Sequence, residues 1–230
     1  MKKRIGCLHA HYSNIEYIEQ SLSAYEVELL HFVDPALVLR TSSDDNFSLE
    51  QAQEKVKEQI EWIAGNKVDA ILITCTNYIA LLQENQLTTS VPIIKIDEPF
   101  FNYICNNEQP QILVFTNPAT VEGTMKRLYS FAHTYGKSPL IETEVIDNAF
   151  ELIMQGKKAE YLNLLSQYIR NLVESDSNKL KSISVVQLSM VDAVRNIYKE
   201  MNVSVGSPLE PLVSHIEEIL QLQKKMPLHN

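Results

Sequence analysis

The residues with the clearest chemical potential lie in the stretch Val68-Asp-Ala-Ile-Leu-Ile-Thr-Cys75-Thr-Asn-Tyr78. Residues 70–74 are a short, apolar, β-branched-rich run with no helical period, the pattern of a strand buried on both faces of a parallel sheet. The run ends on a cysteine, and Thr76, Asn77 and Tyr78 lead into a second apolar segment, Ile79-Ala-Leu-Leu82. Strand, polar corner and helix make the unit in which open α/β sheets place ligand chemistry, at the carboxyl end of the strand. Backbone amides at the start of the following helix can bind an anion, and the same field lowers a thiol pKa. Cys75 is thus placed to be a reactive thiolate beside a bound carboxylate. A free cysteine also serves as a small apolar filler, so this corner alone leaves both roles open.

The elements that must position this corner follow an alternating order. Residues 3–8 read as a first strand ending in His9-Ala-His-Tyr-Ser13, and Ser13 or Asn14 can cap a helix with Ile15, Ile18 and Leu22 on its apolar face. Residues 27–33 are a second strand, stopped by Asp34-Pro35. Ser48, with Gln51 three residues on, carries a capping-box pattern for a helix through Val56, Ile60 and Ile63 to Gly65-Asn66. The Cys75 unit comes next, then a strand at 91–96 and a short helix at 99–105. After the polar, proline-ended stretch Asn106-Asn-Glu-Gln-Pro110 the pattern restarts.

The second half has a strand at 111–115, a polar corner Thr116-Asn-Pro-Ala-Thr120, and a helix with Val121, Met125, Leu128 and Ala132 along one stripe. A strand at 140–146 and helical segments at 149–154 and 159–173 follow. A strand at 183–188 opens into Ser189-Met-Val-Asp192 and a helix, then come a short strand at 203–205 and a last helix from Gly206-Ser-Pro208. Strands alternating with helices give parallel, doubly wound sheets. The expected fold is α/β with two halves of similar size. Their strand ends at Cys75, Thr116 and Gln187 can converge on a cleft, where small-molecule sites tend to lie.

Composition narrows the partners. A hydrophobic content of 45% and a charged content of 21% are those of an ordinary globular protein, and 230 residues suffice for a substantial core. The net charge of -9 argues against an extended nucleic-acid footprint. No apolar run approaches membrane-spanning length, and the basic start Met1-Lys-Lys-Arg is followed by a run that is too short for a signal peptide and is interrupted by His9 and His11. Neither nucleic acid nor membrane is expected as a partner. Three widely separated cysteines make neither a disulfide framework nor a zinc spacing, which fits a reducing cytoplasm. No glycine-rich phosphate loop appears, so nucleotide chemistry has little support.

Three stretches resemble the aspartate/glutamate racemase superfamily, the cofactor-independent racemases and their relatives. Asp69-Ala-Ile-Leu-Ile-Thr-Cys75-Thr-Asn is similar to the family's first cysteine motif. Phe115-Thr-Asn-Pro-Ala-Thr-Val121 is similar to the corner that opens its second half, and Ser184-Val-Val-Gln187-Leu-Ser-Met190 sits where its second cysteine motif is expected. The resemblance implies two similar domains, each a parallel four-stranded sheet flanked by helices, with the active site in the interdomain cleft. It implies domains of 1–106 with 208–230, the C-terminal helix returning to the first, and 107–207. It also implies a PLP-independent isomerase of amino acids or related carboxylates that needs no cofactor. In two-cysteine members one thiolate removes the α-proton and the other thiol delivers a proton to the opposite face. A homodimer is the expected assembly.

This sequence departs from that pattern at the second cysteine. The motif reads Gln187-Leu-Ser-Met, and glutamine does not titrate near neutral pH. Two explanations stay open within the family. His9 falls where glutamate racemases carry an acidic residue near the first cysteine; it can take the Cys75 proton or act as the second proton carrier. Alternatively Cys75 works alone in one-sided chemistry, as a carboxylic-acid lyase or isomerase, with Gln187 and Ser189 donating hydrogen bonds to the substrate. Thr76, Asn77, Thr116 and Thr120 are the candidate carboxylate binders, and helix capping is the competing role for each. His9-x-His11 with Cys75 could in principle ligate a metal, but no fourth ligand stands at a telling spacing, so no metal is assigned. A non-catalytic relative that binds a small carboxylate is the reading outside enzymology.

Overall fold

Two runs of alternating strands and helices build two all-parallel sheets. The computed structural model describes residues 2–225, apart from the side chain of Ser42; residues 1 and 226–230 lie outside the described residues. By its contacts the chain divides into two compact units, Met1–Asp97 with Leu212–Asn230, and Glu98–Pro211.

In the first unit the order is β1 (Lys3–His9), α1 (Asn14–Leu22), β2 (Val27–Val33), α2 (Ala36–Ser43), α3 (Leu49–Ala64), β3 (Ala70–Ile73), α4 (Thr76–Leu81) and β4 (Ile93–Lys95). The strands pair in the order β2-β1-β3-β4. All four residues of β3 are buried, as its unbroken apolar run requires of a strand covered on both faces. The register sets Cys7 of β1 beside His31 of β2 and Leu72 of β3. Alternate side chains of a strand share a face, so Ile5, Cys7 and His9 project to one side of the sheet and Gly6 and Leu8 to the other. On the Gly6 side α3 lies so close that a Cβ on Gly6 would stand 2.3 Å from Ile63 Cγ2, which only glycine avoids. The capping box that opens α3 is complete: Ser48 Oγ accepts from the Gln51 amide, and Gln51 Oε1 accepts from the Ser48 amide. Ala52, Val56, Ile60 and Ile63 form its buried stripe.

α1 begins at Asn14, but Ser13 makes no capping bond from its side chain. Its hydroxyl is engaged by His11 instead, at 2.8 Å. α2 has no counterpart in the sequence reading. It is a short helix directly after Pro35, started by Asp34 Oδ1 accepting from the Ala36 amide.

The second unit contains α5 (Asp97–Cys105), β5 (Gln111–Phe115), α6 (Val121–Thr134), β6 (Ile141–Val145), α7 (Ala149–Met154), α8 (Lys158–Glu174), β7 (Ser182–Val185) and α9 (Val191–Met201). Asp97, the first residue of α5, is counted with the first unit. Asn106–Pro110, the polar stretch between the two sequence patterns, connects α5 to β5. β5 is central, in the order β6-β5-β7, and its side chains alternate between two cores. Ile112 and Val114 pack with Ile183, Val185, Leu165 and Ile197. Leu113 and Phe115 pack with Phe100, Ile104 and Leu128.

This sheet has three strands among the described residues, where four were expected. Residues 203–205 do not form a fourth. Only one parallel bridge, Ser184 to Gly206, continues the ladder beyond β7, through Gly206 N–H donating to Ile183 O and Val185 N–H to Gly206 O. Pro208 follows two residues later and has no N–H to extend it. The strand expected over 183–188 likewise ends early, and Leu188–Met190 forms a 3₁₀ turn into α9.

The last helix, α10 (Leu209–Leu220), ends in the first unit. There the Tyr25 hydroxyl donates to Glu217 at 2.7 Å, and the Glu26 amide donates to Gln223 O at 2.8 Å. Among the described residues no helix is long and apolar enough to cross a membrane.

Candidate active site

Cys75 sits at the carboxyl end of β3 as the N-cap of α4, with extended backbone (φ -116°, ψ 121°) and no capping bond from its thiol. It is half-buried, whereas Cys7 and Cys105 are buried. Burial pushes the thiols of Cys7 and Cys105 up, away from thiolate formation. Thr76 is half-buried and Asn77 is exposed, both in the first turn of α4.

The helix that follows Cys75 is fastened from below. Tyr78 is fully buried, and its hydroxyl donates to Asp34 O at 2.7 Å. Burial pushes the phenol's pKa up, and the nearby Asp34 and Cys75 charges add to this. Asp34 ties several elements together: its amide donates to His9 O at 2.9 Å, its Oδ1 caps α2, and its Oδ2 accepts from the Gln59 amide of α3. Asp34, in sequence the stop of a strand, is a joint between β1, β2, α3 and α4.

His9 is fully buried at the end of β1. Its Nδ1 lies 2.9 Å from Thr74 Oγ1, and Thr74 is the residue before Cys75. Its Nε2 lies 2.9 Å from His31 Nδ1, and His31 Nε2 lies 3.1 Å from Glu19 Oε1 on α1. A carboxylate only accepts, so His31 donates from Nε2 to Glu19; its Nδ1 can then accept from His9 Nε2–H, which leaves His9 Nδ1 to accept from the Thr74 hydroxyl. Asn14 Nδ2 also donates to Thr74 Oγ1, at 3.2 Å. Desolvation, with the His31 charge second, lowers the His9 pKa to about 4, so the ring is held neutral. His11 takes no part: it is exposed, with Nδ1 on Ser13 Oγ and its ring against Tyr12.

The second unit has a polar corner of its own at the end of β5. Thr116 is buried, and both its amide and its hydroxyl donate to Gln187 Oε1, at 2.9 and 2.7 Å. Gln187 Nε2 donates to Thr120 Oγ1 at 3.3 Å, and the Thr120 hydroxyl donates to Asn117 O at 2.8 Å. Thr116, Thr120 and Gln187 are therefore one network. Ser189 is bonded instead to the Tyr161 hydroxyl, at 2.8 Å. Tyr161 is buried on α8, and desolvation pushes its pKa up, against the hydrogen bonds with Ser189 and Thr116. It stays a neutral phenol.

No protein-family model matches the sequence, and no curated protein matches it. Solved structures do match. An aspartate racemase of Picrophilus torridus superimposes with a TM-score of 0.64 at 14% identity, over 97% of this chain and 96% of that one. A glutamate racemase of Bacillus anthracis gives 0.65 at 16% identity, over 96% and 83%. An allantoin racemase of Klebsiella pneumoniae gives 0.58 at 18%, over 95% and 88%. The chain has the fold of the aspartate, glutamate and allantoin racemases. In this racemase fold the half-buried cysteine stands at a strand's carboxyl end, where parallel α/β sheets place ligand chemistry.

Four residues of these corners escaped sequence reasoning: His31, Glu19, Asn14 and Tyr161. His31 and Glu19 lie in ordinary strand and helix patterns, and only the parallel register of β1 and β2 puts His31 beside Cys7. Asn14 was visible as a helix start, but not its bond to Thr74. Tyr161 fits an apolar helix face, and nothing in its spacing marks the hydroxyl.

Proposed function

We propose that the protein is a PLP-independent isomerase of small carboxylates, a racemase or epimerase of amino acids or their derivatives, with the Cys75 thiolate taking the α-proton from one face and water supplying a proton to the other. The observation that carries this reading is the half-buried Cys75 at the end of β3, in a chain that shares its fold with aspartate, glutamate and allantoin racemases over nearly its full length. An α-proton beside a carboxylate is very weakly acidic, so a base must meet it in a site that also stabilises the developing charge. Thr76 and Asn77 are the proposed carboxylate contacts beside Cys75. His9, through Thr74, is proposed to hold that strand end in place. Gln187, through the second hydrogen of its Nε2, and Ser189 are proposed as carboxylate contacts of the second unit, with Thr116 and Thr120 holding Gln187 in place.

One observation favours a second reading. Gln187 cannot carry a proton, and its side chain is committed to Thr116 and Thr120. That supports one-sided chemistry, in which Cys75 alone protonates an enolate left by decarboxylation or isomerisation.

The test is chiral chromatography of L- and D-aspartate, glutamate, their amides and hydantoin derivatives incubated with enzyme free of PLP, alongside disubstituted malonates. Interconversion of enantiomers is the expected outcome. Carbon dioxide release from a malonate, without interconversion, selects the second reading. Neither reaction, with a carboxylate still bound, leaves a binding protein and overturns both.

A further inference from the structure

We propose that Cys7, His9 and His31 form a metal site of the N₂S type that suits zinc(II). One ligand atom from each, the Cys7 Sγ and one ring nitrogen of each histidine, lies within 4.8 Å of the others. Zinc bonds of about 2.3 Å to sulfur and 2.0–2.1 Å to nitrogen need ligand atoms somewhat over 3 Å apart. The His9 Nε2 to His31 Nδ1 distance of 2.9 Å would open only slightly to admit an ion. The set arises from the sheet itself. Cys7 and His9 alternate along one face of β1, and His31 is the register partner of Cys7 on β2.

The outer nitrogens make this more than three neighbours. A ligating histidine needs its other N–H held by an acceptor, which fixes the ring and the tautomer. His31 Nε2 meets Glu19 Oε1 at 3.1 Å, a carboxylate–histidine pair. His9 Nδ1 meets Thr74 Oγ1 at 2.9 Å, and the Thr74 hydroxyl can donate to Leu8 O at 3.3 Å. The orientation that points both inner lone pairs at a metal is therefore fully partnered. On binding, the proton on His9 Nε2 is replaced by the metal while Nδ1 takes one and donates it to Thr74. The Cys7 thiol releases its proton to solvent, so binding frees one proton overall. Imidazole and thiolate donors favour zinc over magnesium or calcium. Cys7 and His9 are fully buried, while the His31 side chain keeps 14% of its exposure and leaves a way in. The ion would bind β2, the edge strand of its sheet, to β1 and, through Glu19, to α1. None of these ligands is Cys75, and His9 is the one residue shared with the proposed positioning of that strand end.

The experiment strips the full-length protein with chelator and titrates it with cobalt(II), then with zinc(II) against a chromophoric chelator. One ion per chain and a thiolate-to-cobalt charge-transfer band in the near ultraviolet are expected. Cys7→Ala should abolish the band. His31→Asn, at the more exposed ligand, should weaken zinc binding by more than the roughly 10–100-fold expected for Glu19→Gln, which should keep the band. Cys75→Ala should keep both band and affinity. The proposal is overturned if the folded wild type gives no band, if affinity is unchanged in both His31→Asn and Glu19→Gln, or if Cys75→Ala removes the band.

Discussion

Replacing Cys75 with serine is expected to lower turnover by about 10²–10⁴-fold, the range a positioned acid/base contributes. A serine hydroxyl is almost never ionised near neutral pH, whereas a thiol gives a usable thiolate fraction. The effect should fall mainly on kcat, because the thiol acts on the α-proton and not on the carboxylate that anchors the substrate. Cys105→Ala is the matched control. That thiol is buried beside Phe100, Phe101 and Ile104 in the second unit, and burial pushes its pKa up, so its loss should leave turnover within a few-fold. Steady-state kinetics on the two variants, with circular dichroism to establish folding, decides the matter. A Cys75→Ser enzyme within tenfold of the wild type would remove the thiol from the mechanism.

The second large effect is acid lability. His9 is buried among Cys7, His31 and Thr74, with Glu19 beyond His31, and its pKa is lowered to about 4, chiefly by desolvation. In the unfolded chain a histidine titrates near 6.5. Between those values the unfolded state binds the extra proton, so stability rises with pH across this window. The contribution is fully present above about pH 6.5 and is lost as pH falls toward 4. Two and a half units at about 1.4 kcal/mol each set an upper size of roughly 3 kcal/mol. Urea unfolding of chelator-treated protein between pH 7 and 4.5 should show this loss, and His9→Gln should flatten that part of the profile. An equally steep loss in His9→Gln would assign the acid sensitivity to other groups.

The sequence carried most of the fold because its strong signals were local. The apolar run of β3, the alternation of strand and helix, and the Ser48–Gln51 capping box are patterns within ten residues, and each appears where it was read. What was missed depended on distance or on marginal length. α2 follows Pro35 directly, although Asp34-Pro35 has the pattern of a stop, and it holds through Asp34. The expected last strand, residues 203–205, does not form; a single bridge at Gly206 continues the ladder, and Pro208 two residues on has no N–H to extend it. Of the candidate residues, Thr116, Thr120 and Gln187 lie in one network, while Ser189 turns to Tyr161. His9 was chosen for its place at a strand end, but its partners were not legible. They come from residue 31 on another strand and residue 74 on a third, and register alone brings them together.

The proposed chemistry depends on Cys75 moving an α-proton. The decisive measurement is loss of the α-proton signal in D₂O, followed by proton NMR over a panel of D- and L-amino acids and substituted malonates, with wild type beside Cys75→Ala. The expected result is wash-out from at least one amino acid, with deuterium appearing in the opposite enantiomer, and none above background in Cys75→Ala. Wash-out that persists undiminished in Cys75→Ala, or none from any substrate that binds the wild type, would contradict it.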